Sequence, residues 1–391
     1  MNLYFSRLIN INMKNIKDIK ILVLLLLFIT TSCKQSLKSK RIVDSKIADL
    51  EVLVGTYTNE TSEGIYKLSL NPKSGEITKN ELLVEVENPS FLDVSKDGKN
   101  VYAVQENEKG MVFSYQWNAD TTKLIEVSSA TTNGMHPCYV SLGDKGNLLA
   151  AGNYSSGNLS FYQIEKNGKI NDQFQTKQHQ GSGTLIPRQE SPHVHSVKFY
   201  KNKFLYVVDL GIDKVVSYPI DKGVLGEGKI ALNTSEGDGL RHVAFHPTNN
   251  VVYLISEFTN TIIIATIDEE SGVLTTIQKV SSLPDNYAKE SFAADIHISN
   301  DGRFLYASNR GHNSIAVFSI ATNGKLTLVN HTDTKGSWPR NFALSKDNKF
   351  LLVANQHGNN VTVFKIDEKL GTLMYTGHQI KISTPVFLKF L

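Results

Sequence analysis

The chain has 391 residues, of which 40% are hydrophobic and 20% are charged, and its formal net charge is +3. This apolar content argues against disorder, and the small net charge argues against a nucleic-acid partner. Two cysteines are too few for a disulfide framework or a four-cysteine zinc site. The composition predicts a core-forming protein, and the length suggests two or three domains unless the fold is all-β.

Residues 1–32 are predicted to be a signal peptide. An apolar run at 21–29, too short to span a bilayer, follows three lysines between residues 14 and 20 and precedes small residues that end at Cys33. This pattern is similar to a bacterial lipobox, which would make Cys33 the lipidated first residue of the mature protein. A signal peptide without lipidation is the alternative, and Met13 is an alternative start.

Removing the leader takes away four basic residues and one acidic residue, which leaves 37 of each and no net charge. Residues 33–49 are polar and rich in lysine and serine, which is typical of a flexible tether. Lipidation would anchor the protein to a membrane without spanning it. We therefore expect export to the periplasm or outer membrane of a Gram-negative-type bacterium, with membrane contact only through the lipid.

From residue 50 onward one unit recurs. Each copy has a short apolar strand, a polar turn, a strand rich in Val, Leu and Tyr, a third alternating strand and a variable fourth strand. The turn residues of the six complete copies lie 46 to 56 residues apart. Four strands in about 45 residues are the period of a propeller blade. One all-β ring over residues 50–391 is therefore predicted.

The two ends of the chain are predicted to complete a seventh blade. The N-terminal unit starts at a second strand, EVLVGTYTN, and the chain ends with a lone first strand, STPVFLKFL. Pairing them removes exposed sheet edges. The predicted fold is a seven-bladed β-propeller with four antiparallel strands per blade, closed by its C-terminal strand.

Aligning the copies predicts two columns of residues that converge on one mouth of the central channel. The column at the start of each first strand contains Ser90, Cys138, His193, Arg241, Ala294, Arg340 and Val386. The column at the end of each second strand contains Tyr57, Glu106, Asn153, Leu210, Glu257, Arg310 and Gln356. These positions are charged in some blades and apolar in others, which favours a functional site. Ion pairs that seal a water-filled channel are the alternative.

Two insertions, 181–190 and 284–292, fall on the same face, where long loops commonly carry binding residues. His195 lies one pleat deeper than His193, either as a site residue or as a buried structural histidine. Cys138 is expected to be a small filler. The chain contains no nucleophile elbow, phosphate loop or metal-binding spacing, so neither a cofactor nor a metal is expected.

The segments RQESPHVHSV, GLRHVAFHP, FLYASNRGHNSIAVF and WPRNFALS resemble the lactonase family of seven-bladed propellers. This family includes propeller-type 6-phosphogluconolactonases and carboxymuconate-lactonizing enzymes, and the resemblance covers residues 50–391. It implies hydrolysis of a small sugar lactone without a metal. The alternatives are a muconate-type lactonizing cycloisomerase and a non-catalytic propeller that binds carbohydrate or protein. The sequence does not predict the oligomeric state.

The resemblance assigns catalysis to channel-mouth residues, namely His193 or His195, Arg241, Glu257 and Arg310. Glu257 or His193 is expected to take a proton from water, and the two arginines are expected to bind anionic groups. Further substrate contacts are expected from Arg188, Arg340, Glu106, Gln356 and His312. Because the phosphorylated lactone is cytosolic, an exported member is expected to hydrolyse an unphosphorylated sugar lactone or another substrate.

Overall fold

The structure is a computed structural model that describes residues 48–391, which contain 29 strands and no helix. The predicted leader and Cys33 lie outside the described residues. Within the described part, no helix has the length and hydrophobicity needed to cross a membrane. The strands form seven antiparallel sheets, called blades 1 to 7 in chain order.

The outermost strands alternate buried and exposed residues, whereas most second strands are nearly continuous apolar runs buried on both faces. Blade 1 contains β1 (Leu50–Thr56), β2 (Gly64–Leu70), β3 (Ile77–Glu85) and β29 (Pro385–Phe390). Blade 2 contains β4 (Leu92–Val94), β5 (Asn100–Gln105), β6 (Met111–Trp117) and β7 (Leu124–Thr131). Blade 3 contains β8 (Pro137–Leu142), β9 (Leu148–Asn153), β10 (Asn158–Ile164) and β11 (Ile170–Gln178).

The remaining blades repeat this order. Blade 4 contains β12 (Val194–Tyr200), β13 (Phe204–Asp209), β14 (Lys214–Asp221), the short β15 (Val224–Leu225) and β16 (Lys229–Asn233). Blade 5 contains β17 (Leu240–Phe245), β18 (Val251–Ser256), β19 (Thr261–Ile267) and β20 (Leu274–Ser281). Blade 6 contains β21 (Phe292–Ile298), β22 (Phe304–Arg310), β23 (Ser314–Ile320) and β24 (Leu326–Asp333). Blade 7 contains β25 (Pro339–Leu344), β26 (Phe350–Asn355), β27 (Asn360–Ile366) and β28 (Leu373–Lys381).

The predicted seven-bladed ring and its closure are confirmed. Strand β29 pairs antiparallel with β1, so that Phe390 lies opposite Val52 and Leu388 opposite Val54. The backbone N–H of Tyr57 also donates to the carbonyl of Thr384 at 3.0 Å. The first and last strands of the propeller therefore share one sheet, and neither is left as a free edge.

The core of the ring is divided among the blade interfaces. Seven clusters of buried apolar side chains lie within residues 48–391, each between two adjacent blades. Four buried tyrosines add a repeated bond, because each hydroxyl donates to a glycine carbonyl of the next blade at 2.9–3.0 Å. These donors are Tyr102, Tyr206, Tyr253 and Tyr306. Since a buried hydroxyl requires a partner, the recurring tyrosine also fixes the position of the neighbouring blade.

The innermost strands β29, β4, β8, β12, β17, β21 and β25 surround the central channel. The starts of these strands and the ends of the second strands lie at one end of the channel, the upper mouth. The ends of the innermost strands, with the turns that follow them, lie at the other end, the lower mouth. The two residue columns from the sequence meet at the upper mouth.

Candidate functional site at the upper mouth

A tight turn places Arg241 beside Glu257. Arg241 is the second residue of β17 and Glu257 directly follows β18, while the Glu257 N–H donates to the carbonyl of Gly239 at 2.7 Å. Gly239 has a φ of +64°, and a Cβ there would lie 2.3 Å from the ring of Phe258. Only glycine fits this turn, so the local sequence brings the guanidinium and the carboxylate to the same point.

Glu257 lies at the centre of three arginines. Its Oε1 accepts from Arg188 Nη2 at 2.7 Å, and its Oε2 lies 2.8 Å from Arg310 Nη2. Arg241 Nε lies 3.1 Å from the same Oε2 but lacks the alignment for a hydrogen bond, so that contact is an ion pair only. The Glu257 side chain is 4% exposed, which removes water from these charge interactions.

Burial alone would raise the pKa of Glu257, but the charges of Arg310, Arg241 and Arg188 outweigh it and lower the pKa to about 2. Burial, together with the charges of Arg310 and Arg340, lowers the pKa of Arg241. The carboxylate therefore stays ionised and compensates the crowded guanidinium groups. A carboxylate held in this way is a poor proton acceptor.

The pKa of Glu257 predicts an acid-sensitive contribution to stability. Since its pKa is about 2 in the folded chain and near 4.5 when exposed, Glu257 stabilises the fold above about pH 4.5, and this contribution is lost as the pH falls towards 2. We expect Glu257→Gln to lower the melting temperature at neutral pH and to reduce its dependence on pH below about 5. Thermal melts followed by circular dichroism measure both effects, with the exposed Glu368→Gln as control. If the melting temperature of Glu257→Gln depended on acid pH as strongly as that of the wild type, the assignment of this effect to Glu257 would be wrong.

Arg188 reaches Glu257 from the 181–190 insertion. Its neighbour Gln189 is fully buried and donates from Nε2 to the carbonyl of Leu210 at 2.7 Å, which fixes the loop to blade 4. The Arg188 guanidinium lies 4.7 Å from the centre of the Phe258 ring, and its side chain remains 45% exposed. The insertion therefore places one solvent-accessible arginine over the buried cluster.

His193 lies at the same mouth with one ring nitrogen available. Its Nδ1 lies 2.9 Å from the carbonyl oxygen of Tyr154, and the two rings stack at 4.5 Å. Because a carbonyl only accepts, Nδ1 carries the proton and Nε2 has the lone pair. The nearest charged group to Nε2 is the rim carboxylate of Glu190, at 3.7 Å.

Tyr154 is a site residue that the sequence alignment missed. The alignment put Asn153 in the second column. However, Asn153 pairs with Pro137 in the same way that Asp209 pairs with Val194 and Ser256 with Leu240. Asp209 and Ser256 are the residues immediately before the column members of their blades. The column residue in blade 3 is therefore Tyr154. Asn153 is instead fully buried within its sheet. The residue just before the second column is polar in every blade, and Asn153 fits that set. This regularity could have revealed that the alignment was displaced by one residue in blade 3.

Arg340 and Glu106 meet at Tyr57 on the opposite side of the mouth. The Tyr57 hydroxyl accepts from Arg340 Nη2 at 2.9 Å and donates to the Glu106 carboxylate at 3.0 Å. Burial raises the pKa of Tyr57, so the hydroxyl remains protonated as the donor. Gln356 lies at the same mouth, and its buried Oε1 has no hydrogen-bond partner within residues 48–391.

His195 and Cys138 lie deeper in the channel. Cys138 Sγ is 3.8 Å from His195 Nδ1, and both residues line a narrow cavity together with Glu106, Arg241 and Arg340. Burial and the charge of Arg241 hold the pKa of His195 well below its usual value, so the ring is neutral. Burial raises the pKa of the Cys138 thiol, which makes it unreactive and consistent with the predicted filler.

Beneath the cluster, a buried network that sequence analysis did not identify orients Arg241. Asp295 accepts from His242 Nδ1 at 2.7 Å, from His297 Nε2 at 2.8 Å and from Asn341 Nδ2 at 2.5 Å. His242 Nε2 is then left as the acceptor for Arg241 Nη1, at 3.3 Å. Burial and the charge of Arg241 lower the pKa of His242 to about 4, which keeps it neutral.

The structure does not bring His312 to the arginine cluster. Its Nδ1 lies 2.6 Å from Ser314 Oγ, and its ring packs against Tyr287 and His331. No hydrogen bond, ion pair or ring contact joins it to the cluster within the described residues. Glycine at position 311, which has a φ of +97°, turns the chain away directly after Arg310.

The upper mouth carries excess positive charge. Four arginines and three glutamates lie in it or at its rim, namely Arg188, Arg241, Arg310, Arg340, Glu106, Glu190 and Glu257. This balance suits an anionic group or a developing oxyanion. In the part of the chain that the structure describes, no group of three or more His, Cys, Asp or Glu residues is arranged to hold a metal ion.

Fold and site together define a seven-bladed propeller with a buried glutamate–arginine cluster at one channel mouth. The chain belongs to the lactonase family of seven-bladed β-propellers, whose model matches residues 51–390. It is 33% identical over 341 residues to the 6-phosphogluconolactonase of Bacillus subtilis (strain 168), covering 86% of this chain and 97% of that protein. It is 35% identical over 310 residues to a 6-phosphogluconolactonase of Formosa agariphila, covering 74% and 85%. The periplasmic gluconolactonase structure of Pseudomonas aeruginosa has a TM-score of 0.83 and 30% identity, covering 88% and 99%.

Proposed function

We propose that the protein is a hydrolase that opens a sugar lactone at the upper mouth. The observation that carries this proposal is the convergence of Arg188, Arg241 and Arg310 on buried Glu257. His193 lies at the same mouth, where it stacks on Tyr154, whose hydroxyl is 3.4 Å from Arg188 Nη2. The family membership and the names of the relatives support lactone chemistry.

His193 is the proposed base. In this mechanism its Nε2 takes a proton from water as the water oxygen bonds to the lactone carbonyl carbon. The ring C–O bond then breaks, and the same proton passes to the leaving alkoxide, giving a hydroxy acid. Both Glu257 oxygens are held by arginines and its pKa is about 2, which favours His193 over Glu257 for this role.

The arginines are proposed to stabilise the negative oxygen of the tetrahedral intermediate. Arg241 lines the channel cavity and is held by Glu257, His242 and the carbonyl of Ala294. A donor fixed before the reaction needs no reorganisation as charge develops. Glu257 acts through these arginines by positioning them.

The test is hydrolysis of a lactone panel that includes glucono-1,5-lactone and its 6-phosphate. We expect turnover above the spontaneous rate and a fall in kcat of about 10²–10⁴-fold in His193→Ala, because the proton acceptor is lost. His378→Ala, on an outer strand, serves as control. Binding of the lactones without turnover by the wild type would instead support a non-catalytic propeller. Formation of a lactone from a muconate would support the cycloisomerase.

We further propose that the protein acts outside the cytoplasm, attached to a membrane through Cys33. The leader pattern supports this location, as does a relative described as periplasmic. Cells fed radiolabelled palmitate are expected to label the wild type and not Cys33→Ser. An unlabelled wild-type protein would contradict the anchor.

A further inference from the structure

The lower mouth contains a second cavity, separate from the proposed lactone site. Its volume is about 360 Å³, within the range of small-molecule sites. Innermost strands and the turns that follow them contribute charged residues to its wall, namely Asp93, Asp144, Lys198, His297, Lys346 and Lys389. The cavity is therefore a polar pocket on the channel axis, built by the whole ring.

A layer of aromatic rings closes the channel between the two mouths. Phe91 stacks on Tyr139 at 3.9 Å and contacts Phe387 at 4.3 Å, and Tyr139 packs edge-on against His242 at 5.3 Å. Phe91 lines both the upper and the lower cavity. The rings form an apolar floor for the lower pocket, so a ligand would enter it from the lower face.

Two of the three acidic groups around the lower pocket have partners, and the third, Asp144, is exposed to solvent. Asp93 forms an ion pair with Lys389 at 2.5 Å and accepts from the Leu142 N–H at 2.8 Å. Asp295, behind the pocket wall, is occupied by His242, His297 and Asn341. Three lysines and two aspartates line the pocket, so it keeps an excess of positive charge.

Lys198 is the partly buried lysine of this pocket that lacks a direct partner. It is partly buried in the pocket wall, and its ammonium makes no hydrogen bond or ion pair within residues 48–391. Burial and the nearby charge of Lys389 lower its pKa and outweigh the opposing charges of Asp93 and Asp295. A partly desolvated ammonium without a partner is costly, and an anion in the pocket would remove that cost.

His297 adds a hydrogen-bond acceptor beside Lys198. Its Nε2–H donates to Asp295, so in the neutral form of the ring Nδ1 has the lone pair, and Nδ1 has no partner in the described part of the chain. A hydroxyl group of a ligand could donate to it. An aromatic floor, an acceptor and free positive charge are complementary to a hydroxylated small anion.

We propose that the lower mouth is a binding site for a small hydroxylated anion, a sugar acid or sugar phosphate. Lys198 contacts the anionic group, Lys389 adds positive charge, and His297 Nδ1 accepts from a hydroxyl. This site is independent of lactone hydrolysis at the upper mouth.

Isothermal titration calorimetry of the full-length protein tests the proposal with gluconate, glucose 6-phosphate and neutral glucose. Titrations in Arg241→Ala remove the upper arginine that would itself attract anions. In this background we expect one of the two anions to bind and Lys198→Met to raise its Kd at least about tenfold, since one charge-assisted contact is lost. Lys198→Arg should retain binding, and Lys325→Met, in an exposed turn, should leave Kd unchanged.

Gluconate binding alone would identify a carboxylate site, and glucose 6-phosphate binding alone a phosphate site. Failure of both anions to bind, equal binding of glucose, or an unchanged Kd in Lys198→Met would each overturn the proposal. Loss of all anion binding in Arg241→Ala would do the same, because it would assign binding to the upper mouth. Absence of lactone turnover would contradict only the proposed function.

Discussion

Replacing Arg241 with alanine is expected to lower kcat/KM for lactone hydrolysis by about 10²–10³-fold, the usual effect of removing one preorganised donor to an oxyanion. The reason is its position. Arg241 is held on one side by Glu257 and on the other by His242 and Ala294, and it faces the channel cavity. Since the oxyanion exists only during the reaction, the loss should appear mainly in kcat.

Two controls separate this effect from damage to the fold. Arg303→Ala removes an exposed arginine that pairs with Asp301 on the lower face and should leave kcat/KM unchanged. Arg241→Lys keeps a positive charge but lacks the planar fork, and we expect only partial recovery. Unchanged kcat/KM in Arg241→Ala with intact folding would remove this residue from the mechanism.

Truncation at Ser383 is expected to unfold the propeller as a whole. The deleted residues 383–391 include β29, the innermost strand of blade 1, with Val386, Phe387, Leu388 and Phe390 all buried. Burying one such side chain contributes about 1.5–3 kcal/mol, so four together approach the total stability of an ordinary domain. Deletion also leaves β1 with an open edge at the channel.

Point substitutions test the same prediction with smaller changes. Leu388→Ala should lower the free energy of unfolding by about 2–5 kcal/mol, because Leu388 is 3% exposed in the interface between blades 7 and 1. Met374→Ala, at a 65% exposed position of β28, should change it little. Calorimetric melting of all three variants is the measurement. A truncated chain that melts at the wild-type temperature would refute closure by β29.

Local sequence patterns predicted most of the fold because each blade repeats the same information. Strand alternation, turn residues and the unmatched strands at the two ends were sufficient to predict the ring. The alignment failed by one residue at Asn153, where neighbouring positions are both polar and only the strand pairing distinguishes them. It also failed by two residues at His193, because Val194 pairs with Asp209 as Leu240 pairs with Ser256, which makes His195 the counterpart of Arg241. His312 does not join Arg310 in the cluster, because the turn at Gly311 directs it towards Ser314.

The sequence predicted which residues lie at the candidate site better than it predicted the contacts between them. The columns identified Arg241, Glu257 and Arg310 as residues of one mouth. They did not show that Glu257 is saturated by arginines, which is what favours His193 as the proposed base. The sequence analysis did not identify Asp295 and His242, because the alignment compared only the residues at the upper-mouth ends of the strands.

The sequence by itself determined the number of blades, the closure and the set of charged residues at the upper mouth, since these depend on a repeat that is local in the chain. Tertiary structure alone decided which charges have partners. Lys389 pairs with Asp93, which lies nearly 300 residues away in the chain. Lys198 forms no ion pair in the described part of the chain. Such pairings depend on side-chain distances across the channel, between blades that are far apart in sequence, and no local pattern contains them.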